Sequence, residues 1–150
     1  MPSITFNLYD SFRKGRFNSN TEDLTAATIK CALVTNSYVP NQNTDDFWND
    51  VSANEVSGTN YSAGGNTLAT PTVTLSGAGL VTVDASDPAA WSQSGTGFSN
   101  ARYAVIYVST GVSSTSDLIG YASFGSDVGN VSGDLTVTVN ASGLFTSART

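Results

Sequence analysis

A chain of 150 residues and 15.5 kDa is long enough to bury a core without disulfide or metal staples, and reads most simply as one domain. Its net charge of −6 and pI near 4.1 disfavour nucleic acid and anionic membrane surfaces as general partners. It contains no histidine, which removes Ser-His-acid catalysis, Cys-His catalysis and histidine-ligated zinc together.

Residues 3–8 alternate, with Ile4, Phe6 and Leu8 on one side, and predict a short extended start. Asp10 is a competent N-cap for about two helical turns ending near Gly15, with Leu8, Phe12 and Phe17 as the apolar stripe. Arg13, Lys14 and Arg16 place three of the six basic residues in this segment. They read either as a solvated helix face or as a positive arm that docks on an acidic partner. Removal of residues 1–17 is accordingly expected to leave a folded domain. Residues 28–35 (TIKCALVT) form a strong strand pattern, and residues 36–43 a loop. Thr44 or Asp45 is positioned to cap a short helix near residues 44–51 that carries Phe47, Trp48 and Val51. Residues 55–66 are a Gly- and Asn-rich loop anchored by Tyr61.

Residues 67–75 and 80–85 predict two strands joined by SGAG, a hairpin signal. Residues 87–97 predict a loop or a short strand centred on Trp91. Residues 101–109 are apolar on both faces, the mark of a central strand covered from above and below. A turn at 111–117, a strand at 118–124, a loop at 126–133, a strand at 135–140 and a last short strand at 143–146 complete the chain. The pattern is that of an all-β protein: a single-domain antiparallel β-sandwich, jelly-roll or Ig-like, of about seven to eight strands. The domain spans 1–150, with residues 1–17 as an N-terminal arm or short helix.

The lone Cys31 sits in an apolar strand pattern and reads as a buried, inert thiol, which excludes an internal disulfide and thiolate metal clusters. No apolar run approaches the roughly 18 residues of a membrane span. The N-terminus lacks a basic region followed by an apolar block, so no secretory signal is expected. Asp45, Asp46, Asp50 and Glu55 lie close together in sequence. Their spacing fails the Ca²⁺-loop pattern, and they read as caps and solubilising charges rather than a glycosidase pair. No catalytic residue, metal or cofactor is expected, and no enzymatic activity. Tyr38, Tyr61, Trp48 and Trp91 either plug the ends of the sandwich or stand exposed as contact anchors. The protein-contact candidates are therefore Arg13, Lys14, Arg16, Trp48 and Tyr61.

Six stretches in order carry a family resemblance: NLYDSF (7–12), TIKCALVTNSYVPNQNTDDF (28–47), NEVSGTNYSAGGNTLA (54–69), ARYAVIYVSTG (101–111), LIGYASFG (118–125) and DLTVTVNASGLF (134–145). As a set the chain resembles small virion structural proteins of tailed double-stranded DNA bacteriophages. Cys31 departs from the resemblance, since a small or β-branched residue is expected there; the fold expectation is unaffected. The resemblance implies a capsid decoration (cement) protein, made in the host cytoplasm and bound as a homotrimer on the outside of the major capsid protein shell. A tail or head-fibre component with host-surface or glycan binding is the alternative it leaves open.

Overall fold

The computed structural model describes residues 6–13, 23–77 and 79–148. Ile4, the expected helix end near Gly15, Phe17, Lys14 and Arg16 lie outside them. Among the described residues eight strands form two antiparallel sheets. In the larger, the order is β1 (Asn7–Leu8), β7 (Leu118–Val128), β6 (Ala101–Val108), β2 (Ile29–Val34) and β3 (Asn66–Thr67). In the smaller it is β4 (Thr72–Leu75), β5 (Leu80–Asp84) and β8 (Phe145–Ala148). The domain is all-β and sandwich-like, as the turn-punctuated alternation of the sequence predicts.

Strand β6 is the centre, flanked by β7 and β2, because both of its faces are apolar and both must be covered. On one face Ala104 and Ile106 join Ile29, Cys31 and Leu33 of β2 against Val83 and Phe145 of the small sheet. The opposite face, with Val105, Tyr107, Ala32 and Val34, is covered by Tyr9, Tyr38, Trp48 and Val51. A layer of loop and 3₁₀ turns thus replaces a third sheet. Cys31 is completely buried in the first cluster, and burial pushes its thiol up to about 12.

Three elements of the main chain differ from expectation. The strand expected over 67–75 is broken: Thr70 takes a left-handed φ of 47° and Pro71 offers no N–H, so the chain leaves the large sheet at β3 and enters the small one at β4. Residues 135–140 form no continuous strand, although Leu135, Val137 and Val139 are buried as their alternation predicts. Leu135 instead makes a single reciprocal bridge with Trp91, with N–H to carbonyl distances of 2.9 and 3.0 Å. The short helix near 44–51 is a pair of 3₁₀ turns, Trp48–Asp50 and Ser52–Asn54. Neither Thr44 nor Asp45 caps it; the Asp50 carboxylate accepts from the Asp46 and Phe47 N–H groups at 3.0 and 3.2 Å.

Residues 6–12 are packed on the central sheet rather than appended to it. Asp10–Arg13 is helical, as expected, but Phe6, Tyr9 and Phe12 are buried, Tyr9 completely. Asn7 and Leu8 pair with Tyr121 and Gly120 of β7. Residues 6–12 belong to the core because their apolar side chains supply cover that the central sheet lacks elsewhere.

Candidate contact surface

The polar groups that looked available for chemistry are spent on fixing loops to the sheets. Tyr38 donates its hydroxyl proton to Asp45 at 2.7 Å, and its oxygen lies 2.6 Å from the Tyr9 hydroxyl. Since Tyr38 has one proton and gives it to the carboxylate, Tyr9 must donate to Tyr38. Burial raises the pKa of both phenols. Asp45 also accepts from the Asn41 N–H at 3.0 Å, Gln42 donates to the Leu8 carbonyl at 2.6 Å, and the Asp10 N–H reaches the Gln42 carbonyl at 2.9 Å. The 38–45 loop therefore clasps residues 8–10 from outside while β7 holds them from inside.

Glu55 does the same for the Gly-rich loop. Its Oε1 accepts from the Tyr61 hydroxyl at 2.7 Å and the Gly64 N–H at 2.6 Å, and the Tyr61 oxygen accepts from the Leu33 N–H at 3.0 Å. Gly65, at φ 73°, crosses directly over the Cys31 carbonyl, where any Cβ would collide with backbone. Burial raises the Glu55 pKa from its ordinary 4.5, against the opposing pull of the Tyr61 and Gly64 hydrogen bonds. The folded chain thus keeps this proton to higher pH than the unfolded chain. The Glu55 contribution favours folding below pH 4.5 and is lost as pH rises through the raised value. Urea midpoints for Glu55→Gln should consequently fall less than wild type, or rise more, as pH increases from 4.5. Parallel curves for the two proteins would show that Glu55 titrates normally.

At one end of the sandwich Asn130, completely buried, joins three loops. Its Oδ1 accepts from the Phe98 N–H at 2.9 Å, and its Nδ2 donates to the Thr59 and Ser92 carbonyls at 3.1 and 2.8 Å. Its backbone N–H and C=O are paired as well, with Phe98 and Ser94. Gly97 packs so closely on the amide that a side chain there has no room. An asparagine in a turn-rich stretch is unremarkable in sequence, so this hub carries no signal that sequence reasoning could have isolated.

The contact candidates separate accordingly. Arg13 is exposed and pairs with Asp10 at 3.1 Å; an ion pair this open contributes little to stability, so Arg13 remains free to re-pair with a partner. Lys14 and Arg16 lie outside the described residues. Trp48 is only 7% exposed and stacks on Tyr107 with centroids 4.5 Å apart, so the expectation of a surface anchor there is corrected. Tyr61 is turned inward too, its hydroxyl engaged with Glu55 and its ring edge-on to Phe98. Trp91 is likewise buried. Among the described residues the large apolar side chains that stand exposed are Val39, Val112, Val73 and Leu75. Val39 and Val112 fall in predicted loops; Val73 and Leu75 fall in the strand predicted over 67–75, whose place at the edge of a sheet the alternation does not show.

Among the described residues no group of three or more acidic or cysteine side chains could hold a metal ion. Asp46 is raised by burial and by its neighbour Asp50, while Asp45 and Glu55 each face separate hydroxyl and N–H donors. The four clustered carboxylates thus divide among separate local structures. No helix among the described residues is long and apolar enough to cross a membrane. No family model matches the sequence, and no curated protein or solved structure matches it at a significant level.

Proposed function

We propose that the chain is a structural component of a tailed double-stranded DNA phage virion, a decoration protein that binds the outer surface of the capsid shell and stabilises it. The observation that carries this reading joins sequence to fold. Every strand of the five-stranded sheet lies or begins within the stretches that carry the resemblance, whereas β4 and β5 lie outside them. β8 of the small sheet also begins within them, at Phe145. The residues that carry the resemblance therefore fold together on the central sheet, its cover and the end of the small sheet rather than falling on scattered turns.

The role asks for a rigid body with repeated contacts and no chemistry. Loops locked by Asp45, Glu55 and Asn130 offer such a body. As a homotrimer, three copies would reinforce one another's weak contacts with the major capsid protein, an avidity gain of roughly 10²–10⁴. The alternative of a glycan-binding tail or head-fibre component drew on Trp48 and Trp91, and both rings are buried.

Shells prepared without this chain should lose integrity at lower temperature than complete shells, and adding the purified chain back should restore it. Equal heat stability with and without the chain, together with no binding to the shell, would reject the proposal.

A further inference from the structure

The small sheet ends on β4, and no described strand covers its outer side. The Ser76 N–H donates to the Leu80 carbonyl at 2.9 Å, which sets the alternation of this hairpin. Thr72 and Thr74 then exchange hydrogen bonds with Asp84 and Thr82, and the N–H and C=O groups of Val73 and Leu75 point away from β5. Exposed edges are ordinarily blunted by charge, proline or a bulge. Within Thr72–Leu75 none of these occurs: the register is unbroken over four pairs, and Pro71 stands just outside. The side chains match. Val73 and Leu75, 45% and 72% exposed, extend the apolar face that Val81, Val83 and Phe145 carry toward the core.

Charge selects the occupant. Residues 56–83 contain no Asp, Glu, Lys or Arg, in a chain whose net charge is −6. Two such chains repel over much of their surfaces. This edge strand, which itself carries no charge although Asp84 and Asp23 lie beside it, is where they meet at the lowest cost. We propose that a second copy of this chain adds a strand to β4, continuing the small sheet across a subunit boundary. Pairing of β4 with β4 about a two-fold axis gives a dimer. Pairing with β8, the other edge of the sheet, is head-to-tail and gives a ring such as a trimer where the rotation between copies closes. The inference does not rest on the capsid reading, since it concerns the chain alone in solution.

Light scattering or sedimentation of the purified full chain should show an oligomer. Leu75→Lys places a cation on the edge, and Val73→Pro removes an outward N–H without touching a bond to β5. Each should weaken association by about tenfold or more while leaving the urea midpoint nearly unchanged. A wild-type chain that stays monomeric at high concentration would overturn the proposal. So would an oligomer that both variants leave intact. Loss of association with intact shell binding, or the reverse, tells failure of this inference from failure of the capsid reading.

Discussion

Deletion of residues 1–12 should leave a chain that does not hold the native fold at room temperature. The deletion removes Phe6, Tyr9 and Phe12 from the core and the β1 pairing from the edge of β7. Loss of a large buried aromatic side chain costs about 3–5 kcal/mol, so three approach or exceed the roughly 5–15 kcal/mol by which a domain is stable. It also leaves the Asp45–Tyr38 pair and the Gln42 side chain without their partners in residues 8–10. Loss of the cooperative urea transition is the expected result. A truncated chain with a wild-type midpoint would return this segment to the status of an appended arm. The point mutant Tyr9→Ala, which spares the strand, should still cost about 3–5 kcal/mol.

Asn130→Ala should produce the largest loss of stability for a substitution of a polar residue. The amide is the partner of the Phe98 N–H and of the Thr59 and Ser92 carbonyls, and alanine leaves all three without it. The Phe98 N–H is stranded in a buried site, which costs about 1–3 kcal/mol. The Thr59 and Ser92 carbonyls, on exposed residues and the second also held by Asn60, each lose about 0.5–1.5 kcal/mol, so a total of about 2–6 kcal/mol is expected. Asn130→Asp separates the amide's chemistry from its shape. The carboxylate still accepts from Phe98, but it faces two carbonyl oxygens to which it cannot donate while ionised. Asn130→Asp should therefore be strongly destabilised at neutral pH and partly rescued at acidic pH, where the acid carries a proton to donate. Midpoints of both variants close to wild type would show that the three loops hold without the hub.

Local alternation made β2, β6 and the first part of β7 legible, because each is apolar on the faces it buries, whereas Asn66 of β3 and the end of β7 to Val128 fall in stretches read as loop. Residues 101–109 were readable as central for a physical reason: two apolar faces require cover on both sides. What the residues did not reveal was which layer supplies the second cover. Tyr9, Tyr38 and Trp48 lie far apart in sequence, and each could equally have faced solvent. The break at Thr70 and Pro71 was visible as a proline but not as a change of sheet, since residues on both sides of it remain β-formers. The interior roles of Trp48 and Tyr61 depend on long-range partners, Tyr107 for the first ring and the Leu33 N–H for the second hydroxyl. The exposed edge at β4 was hidden for the converse reason. TVTL reads as a buried strand unless its neighbours in space are known.

The central claim is that this chain is a structural protein on the outside of a capsid shell. Electron cryomicroscopy of the assembled particle tests it most directly, by locating the chain's density and counting its copies. Density for the sandwich on the outer shell surface where capsomers meet, repeated over the lattice, is the predicted result. Density confined to the tail, or a particle without the chain, would contradict it.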